Sequence, residues 1–304
     1  MSDTSSDEWL QLTIELAPTS NASVQLDQWE DALEDIGALS ITYRDAEDNP
    51  VFEPGPGEIA LWDSLKLTAL FAQGSASAPI LRELSARIQS MDVTAVQIEM
   101  LPDRHWERAW LDDFAPMPFG DRLWICPREA EPPNAEAVNL RLDPGLAFGT
   151  GTHPTTAMCL RWLDANIEQG ADVIDYGCGS GVLGIAALLL GAKHVVATDI
   201  DPQALQATAE NARVNQVESA LECVSIETMA GRTANLVLAN ILARPLVDLA
   251  ATITGHCAPG GRIVLAGLLV EQEADVRRAY EGAFTDWQRQ TDAQWVCLSA
   301  SRIE

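Results

Sequence analysis

Three glycines and two aspartates are spaced in this chain as a nucleoside-binding turn requires. In the segment D-Y-G-C-G-S-G, Asp175 stands two residues before Gly177, and Gly179 and Gly181 follow. Glycine lets a backbone turn tightly and approach a ligand closely, and a helix that begins after the turn presents unpaired N–H groups. Asp199 stands 22 residues after Gly177, at the end of the next apolar run. A carboxylate there can bind two ribose hydroxyls, so the segment predicts a βαβ unit that holds a nucleoside.

The charge beside the turn bears on which nucleoside is bound. Dinucleotide-binding folds share the same strand, turn and helix and a similar acidic partner. Here, however, Asp175 would repel a pyrophosphate, whereas it suits the cationic amino acid end of S-adenosylmethionine. The residues therefore favour S-adenosylmethionine. A dinucleotide is the alternative, and a glycine-rich turn without a ligand would need three glycines and two strand-end carboxylates to coincide.

Two further segments carry side chains that could contact a cofactor or a methyl acceptor. In G-T-G-T-H-P-T-T, Pro154 begins a predicted helix, so Thr156 lies in its first turn and can contact a cofactor carboxylate. His153 could serve as a base, but capping this helix is the favoured role. In L-V-L-A-N-I-L, Asn240 ends a strand, and its amide carbonyl could accept a hydrogen bond from an amine. An asparagine that only satisfies backbone groups at a strand end is equally compatible with the pattern.

The elements that position these residues fall into two parts. Up to Met100 the pattern is βαββαβ, which predicts a small ferredoxin-like α+β domain. Its predicted strands are Leu10–Leu16, Leu39–Tyr43, Leu65–Phe71 and Ala95–Met100, and its predicted helices are Val24–Ile36 and Pro79–Ile88. We place this domain at residues 1–101. No cluster of nucleophile, base or metal ligands marks it, so we expect it to bind a partner.

Residues 102–138 are predicted to connect the two domains. An aromatic stripe of Trp106, Trp110 and Phe114 predicts a short helix that docks on a neighbour, and His105 beside it is not expected to be catalytic. Leu123–Cys126 reads as a strand, and 129–137 reads as an exposed loop.

Residues 139–304 are predicted to form an α/β domain. Continuous apolar runs, as in buried parallel strands, alternate with helices. The predicted strands are Val173–Asp175, His194–Asp199, Leu221–Ile226, Leu236–Asn240 and Arg262–Ala266, followed by a possible antiparallel pair at Trp287–Thr291 and Trp295–Ser301. Asp201 is predicted to cap the helix Gln203–Val214. In such open sheets ligands bind outside the carboxyl ends of the strands, where Asp199 and Asn240 stand.

Composition narrows the class of protein. The 304 residues carry a net charge of −26, which argues against direct binding of nucleic acid and favours either a basic protein partner or a salt-adapted surface. Six cysteines without C-x-x-C spacing indicate reduced thiols and no metal site. The N-terminus has no basic and apolar signal regions and no run is long enough to span a membrane, so we expect a cytoplasmic enzyme.

Together these motifs resemble a known family. The segments 143–156, 173–201 and 238–242, with V-F-E-P at 51–54 and W-E-R-A-W at 106–110, are similar to the bacterial methyltransferases that modify large-subunit ribosomal protein L11. The glycine turn alone is typical of the broad methyltransferase class, whereas G-T-G-T-H-P-T-T combined with A-N-I-L is far more specific. The chain departs from the family mainly in its low lysine content and its acidic tail.

The resemblance implies a fold, a reaction and a set of site residues. It implies an N-terminal domain that recognises the ribosomal protein and a seven-stranded, Rossmann-like methyltransferase domain. The reaction would transfer methyl groups from S-adenosylmethionine to lysine side-chain and N-terminal amines of ribosomal protein L11, by a monomer. The implied cofactor contacts are Thr156, Gly177, Gly179, Asp199 and Asn240, with Asn240 also catalytic and no metal.

Three alternatives stay open at this point. Methyltransferases of nucleic-acid bases or glutamine amides carry N-P-P-Y or a close relative where this chain has A-N-I-L, and the missing prolines and aromatic ring argue against a stacked planar substrate. A protein that only senses S-adenosylmethionine would not need Asn240. A nicotinamide dehydrogenase would need a substrate site that the sequence does not show.

Overall fold

The computed structural model describes residues 8–16, 22–45, 65–87, 93–102, 115–142 and 153–304. The aromatic helix expected at 106–114, His105 and most of the loop before Pro154 lie outside the described residues. The chain divides into two compact units, Met1–Ala109 and Trp110–Glu304. Among the described residues, no helix is both long enough and apolar enough to cross a membrane.

The N-terminal unit has the predicted ferredoxin-like order of elements. These are β1 (Glu8–Leu16), α1 (Ala22–Asp35), β2 (Ala38–Asp45), β3 (Leu65–Phe71), α2 (Ser77–Arg87) and β4 (Val93–Pro102). The strands form one antiparallel sheet in the order β2-β3-β1-β4. Alternate residues of β1 (Leu10, Leu12 and Ile14) are fully buried with Trp29 and Leu33 of α1, because a period of two puts one face of a strand against the helices.

A small three-stranded sheet opens the described part of the second unit. It consists of β5 (Met117–Phe119), β6 (Leu123–Cys126) and β7 (Val138–Arg141), with β6 in the centre. The strand predicted at Leu123–Cys126 is confirmed, and the residues of the predicted loop between β6 and β7 are exposed or partly exposed.

One buried carboxylate fastens this small sheet to the next helix, α3 (Pro154–Asn166). Asp164 of α3 is 6% exposed and accepts hydrogen bonds from the backbone N–H groups of Asp121 (2.8 Å) and Arg122 (3.2 Å). The Arg122 side chain also lies 3.5 Å from the Asp164 carboxylate. Gly120 is needed here, since a Cβ atom would lie 2.2 Å from Oδ2 of Asp164.

The rest of the second unit is the predicted α/β domain. After α3 its elements are β8 (Asp172–Tyr176), α4 (Val182–Leu189), β9 (His194–Asp199), α5 (Pro202–Val214), β10 (Leu221–Ser225), β11 (Ala234–Asn240), α6 (Ala243–Asp248), α7 (Ala250–His256), β12 (Cys257–Leu269), α8 (Glu273–Tyr280), β13 (Phe284–Asp292) and β14 (Trp295–Arg302). They form a seven-stranded sheet in the order β10-β9-β8-β11-β12-β14-β13. The first five strands in this order are parallel, and β14 is antiparallel to both its neighbours, so the predicted Rossmann-like fold with a terminal hairpin is confirmed.

Burial explains why the central strands are apolar throughout. Val195 and Ala197 of β9 and Val237 of β11 are fully buried, as parallel strands covered on both faces must be. The helix α4 is likewise buried along most of its length, and Ile185 is fully inaccessible. Each such aliphatic side chain contributes about 1.5–3 kcal/mol when buried. The α5 helix begins as predicted, because the Asp201 side chain accepts a 2.8 Å hydrogen bond from the N–H of Gln203.

Candidate active site

The residues that the sequence analysis singled out lie at one edge of the seven-stranded sheet. The strand β8 lies between β9 and β11, and all three are parallel, so their carboxyl ends meet at the same edge. Gly177 follows β8, Asp199 ends β9 and Asn240 ends β11. The chain runs from β8 outward through β9 to β10 and then returns to β11 on the other side of β8, so the strand order reverses there and this edge is the switch point at which such sheets bind ligands.

The glycine turn after β8 has the backbone shape that only glycine adopts readily. Gly177, Gly179 and Gly181 have φ angles of +79°, +54° and +77°. The N–H groups of Gly177 and Cys178 both donate to the carbonyl of Thr198, at 2.8 and 3.0 Å, and so tie the turn to β9. The N-cap residue of α4, Gly181, has no side chain, and the first-turn N–H groups of Val182 and Gly184 donate to Oγ of Ser180 (3.4 Å) and Oδ2 of Asp175 (2.9 Å). The turn therefore brings a helix N-terminus to the sheet edge with part of its first turn already hydrogen-bonded.

Two side chains that the sequence analysis missed hold this turn from α5. Thr208 is fully buried and donates from Oγ1 to the carbonyl of Gly179 (3.0 Å), and Asn211 donates to the carbonyl of Ser180 (2.9 Å). A Cβ atom on Gly181 would lie 2.6 Å from Cγ2 of Thr208, so this glycine also permits the close packing. The two side chains lie one helical turn apart, and Thr208 stands between Ala204 and Ala212 on the buried face of α5, so a polar residue at i+4 in an alanine stripe is the signal that could have identified it.

Asp199 links the glycine turn to the start of α5. Its Oδ2 accepts a 2.9 Å hydrogen bond from the N–H of Gly179, and its Oδ1 accepts a 3.0 Å hydrogen bond from the N–H of Asp201. A carboxylate has about four lone-pair sites, so each oxygen retains the capacity to accept a second hydrogen bond. This donor set fits a ribose, whose two adjacent hydroxyls need acceptors close to the turn.

Asp175 takes a different position from the one that the sequence suggested. Its side chain is 1% exposed, and Oδ2 accepts a 2.9 Å hydrogen bond from the N–H of Gly184 in α4. Burial raises the pKa of this carboxyl to about 7; the Gly184 hydrogen bond lowers the pKa and the charge of Asp199 raises it further. Asp175 therefore fastens α4 to β8 inside the protein, and the interpretation that it faces the cationic end of a cofactor is wrong for this structure.

Thr156 and Asn240 contact each other although they stand 84 residues apart. The amide Nδ2 of Asn240 donates a 3.1 Å hydrogen bond to Oγ1 of Thr156, which is 2% exposed in the first turn of α3. Because the nitrogen end of the amide is engaged, its Oδ1 is left to accept a hydrogen bond from a substrate. Asn240 itself is half-buried at the sheet edge.

His153 caps α3, as the favoured interpretation expected. Its Nδ1 accepts a 3.4 Å hydrogen bond from the N–H of Thr155 and lies 2.8 Å from the Thr155 hydroxyl oxygen. The ring packs edge-on against Trp295 with the centroids 4.7 Å apart. Burial lowers the pKa of His153, which keeps the imidazole neutral and able to accept this bond. The ring nitrogen that a base would need is thus used for structure.

The whole chain matches one protein family. The family model described as "Ribosomal protein L11 methyltransferase (PrmA)" matches residues 8–303. The ribosomal protein L11 methyltransferase of Pseudomonas aeruginosa (strain LESB58) is 47% identical over 97% of this chain and 98% of its own length. The protein of the same name from Hahella chejuensis is also 47% identical, over 97% of this chain and 99% of its own length.

A solved structure is similar to the larger part of the chain. The crystal structure of the ribosomal protein L11 methylase from Lactobacillus delbrueckii subsp. bulgaricus matches with a TM-score of 0.58 and 31% identity. The match covers 63% of this chain and 100% of that one. With the family model and the relatives, this similarity shows that the chain is an S-adenosylmethionine-dependent methyltransferase and belongs to the ribosomal protein L11 methyltransferase family.

Proposed function

We propose that this chain transfers methyl groups from S-adenosylmethionine to lysine side-chain and N-terminal amines of ribosomal protein L11. The observation that carries the proposal is the pair formed by Asn240 and Thr156, which leaves an amide oxygen available at the sheet edge next to the glycine turn. Relatives that are 47% identical over nearly the whole chain and are named for this substrate support the choice of protein.

The cofactor is proposed to bind between the glycine turn and the end of β9. Gly177 and Gly179 let it approach the backbone, and Asp199 accepts hydrogen bonds from the ribose. Thr156 is proposed to steady the amino acid end from the first turn of α3, where the positive end of the helix dipole favours a carboxylate. S-adenosylmethionine, when bound, supplies a methyl group that is attached to a positively charged sulphur. A neutral amine can displace this sulphur from the methyl carbon.

Asn240 is proposed to orient the attacking amine. A lysine with a pKa of about 10.4 is neutral roughly one time in a thousand near pH 7.4, so the ammonium has to lose a proton before it can attack. An Asn240 Oδ1 that accepts one N–H holds the nitrogen lone pair in a fixed direction, and desolvation at the sheet edge lowers the amine pKa.

Positioning supplies much of the acceleration in this mechanism. Among the described residues neither His153, which caps α3, nor Asp175, which is buried, is available as a dedicated base. The amine therefore gives its proton to water or loses it on desolvation.

The two predicted domains and the segment that connects them are proposed to have different roles. Residues 1–101 would recognise the protein substrate, 102–138 would connect, and 139–304 would bind the cofactor and carry out the transfer. The net charge of −26 supports a basic ribosomal protein as the partner, because long-range attraction raises the rate of encounter, and it disfavours direct contact with nucleic acid. We propose that the enzyme acts as a monomer.

Intact mass spectrometry of purified ribosomal protein L11 tests the function. After incubation with the enzyme and S-adenosylmethionine, we expect mass increments of whole methyl groups, which fragmentation places on lysine side chains and the N-terminal amine. The Asn240→Ala variant is the control, since it should bind the cofactor and leave the mass unchanged. An unchanged mass with the unaltered enzyme, when calorimetry shows that the cofactor binds, would refute the substrate and favour a sensor.

A further inference from the structure

Two glycines, Gly177 and Gly267, lie against Ile241, the residue that follows Asn240, and we propose that Gly267 and Ile241 are positioning residues for methyl transfer. The proposal rests on the function proposed above. Gly267 belongs to β12, Ile241 follows β11, and Gly177 of the cofactor turn lies on the other side of Ile241. The structure assigns to Ile241 the task of linking the acceptor end of the site to its cofactor end.

Gly267 leaves room for the main chain of Ile241. Its φ angle is +88°, and a Cβ atom built on it would lie 2.2 Å from the carbonyl oxygen of Ile241, 2.7 Å from its carbonyl carbon and 3.1 Å from its nitrogen. Those atoms are backbone, so no change of rotamer relieves the collision. The strand β12 is irregular at the same place, because its pairing with β14 shifts register between Leu265 and Leu268. Such a bulge re-aims the chain beside a site.

The side chain of Ile241 fills the space beside Gly177. A Cβ atom on Gly177 would lie 2.2 Å from Cγ2 of Ile241. Ile241 is partly buried and packs against the main hydrophobic core of the second unit, so it cannot swing away without opening a gap there. Ile241 therefore contacts the core and β12 on one side and the cofactor turn on the other.

These contacts of Ile241 with Gly177 and Gly267 directly affect the position of Asn240. In the sheet, Asn240 pairs with Ala266, the neighbour of Gly267, and it precedes Ile241 in the chain. A methyl group on Gly267 must push the Ile241 backbone away, and Asn240 moves with it. The 3.1 Å hydrogen bond from Asn240 to Thr156 leaves little tolerance, since a side-chain contact near 3.6 Å is no longer a hydrogen bond. A displacement of about 1 Å at a positioned group can lower a rate a hundredfold.

Two other glycines of β12, near the N-terminal end of the strand, provide matched controls. Gly261 is also crowded by backbone atoms, though less closely than Gly267, because a Cβ atom there would lie 2.8 Å from the carbonyl oxygens of Ala258 and Asn235. Gly260 has a φ angle of +70° but open space around it. Substituting alanine at these positions reproduces separately the crowding and the backbone strain of Gly267→Ala, away from the proposed site.

Steady-state kinetics of the three variants decide between positioning and structural support. We expect Gly267→Ala to lower kcat for methylation of ribosomal protein L11 about a hundredfold, with a much smaller change in the KM for S-adenosylmethionine. Gly260→Ala and Gly261→Ala should lower the thermal midpoint and leave kcat within about twofold of the unaltered enzyme. Equal losses of kcat in all three, or an unimpaired Gly267→Ala, would overturn the inference. Failure of the unaltered enzyme to methylate would instead refute the proposed function.

A double-mutant cycle keeps the inference testable if Gly267→Ala does not fold. Gly177→Ala should weaken cofactor binding measured by calorimetry, both through its φ angle of +79° and through collision with Ile241. Adding Ile241→Ala removes the Cγ2 atom, so we expect part of the lost affinity to return. If Ile241→Ala instead deepened the loss, Ile241 would not be resting on the cofactor turn, and the positioning role would be wrong.

Discussion

Replacing Asp175 by asparagine isolates the energetic cost of the buried carboxylate beneath the glycine turn. Asparagine has nearly the same shape, and its Oδ1 can still accept the hydrogen bond from the N–H of Gly184 that Asp175 accepts at 2.9 Å. The change therefore removes the ionisation and keeps the contact that fastens α4 to β8. We expect the variant to be more stable than the unaltered protein above neutral pH.

The magnitude follows from the pKa of Asp175. In the folded chain this pKa is about 7, against an ordinary value of 3.8, because burial disfavours the carboxylate. The folded state consequently holds a proton that the unfolded chain releases, so the free energy of unfolding falls as the pH rises between these two values and is unaffected outside them. The difference corresponds to about 4 kcal/mol over the whole window, as an upper bound. About 2 kcal/mol of this falls between pH 5.5 and 8, because the carboxyl is only half ionised at its pKa.

Urea denaturation of both proteins at a series of pH values measures the effect. The many other carboxylates of this acidic chain titrate alike in both, so the difference in unfolding free energy between variant and unaltered protein reports Asp175 alone. That difference should grow by about 2 kcal/mol from pH 5.5 to 8 and then level off, in favour of the variant. A difference that is constant with pH, or that favours the unaltered protein more as the pH rises, would refute the raised pKa.

Substitutions at four other residues separate cofactor binding, methyl transfer and structural support. Asp199→Ala should weaken cofactor binding ten- to a hundredfold, at about 1.5–3 kcal/mol for charge-assisted hydrogen bonds, whereas Asn240→Ala should keep the affinity and lose transfer; normal calorimetry and turnover in both would contradict the assigned site. His153→Ala should cost about 1 kcal/mol of stability by removing the cap of α3, and His153→Asn should restore it. A loss of kcat with His153→Asn at full stability would instead indicate a catalytic histidine. Asp164→Ala removes the buried carboxylate that accepts from the N–H groups of Asp121 and Arg122 and should lower stability by about 1–3 kcal/mol, with the cofactor KM unchanged; a changed KM would link the small sheet to the site.

Much of the fold could be predicted because each strand carries its own local signal. The apolar runs His194–Asp199 and Leu65–Phe71 agree with the structure at both ends, since a polar or glycine-rich segment bounds each. The strand β12 was predicted only as Arg262–Ala266 but runs from Cys257 to Leu269. Pro259, Gly260 and Gly261 have the composition of a turn, and they lie in an irregularity of β12 between Cys257, which pairs with Ala234, and Arg262, which pairs with Leu236. Gly267 lies in a second irregularity, where the sequence suggested an end.

The site was predictable to the extent that strand ends determine it. Glycines and acidic residues at the carboxyl ends of parallel strands must meet, and the structure has Gly177, Asp199 and Asn240 at one edge. The burial of Asp175 could not be read from the sequence, because it depends on how closely α4 packs through Gly184. The contact of Thr156 with Asn240 could not be read from the sequence either, because it joins residues on separate elements and follows from the three-dimensional arrangement alone.

The backbone after Asn240 explains why A-N-I-L and N-P-P-Y can occupy the same place in related enzymes. Leu242 has a φ angle of −59°, within the range that proline imposes, and it is the residue that precedes α6. A proline would therefore fit the main chain at Leu242, and there the two motifs differ in the side chain that each presents. Leu242 is 49% exposed and offers a flexible aliphatic surface, while Ile241 fills the space beside Gly177. Such a surface can pack along the methylene stem of a lysine, whereas a planar base needs a rigid aromatic partner on which to stack.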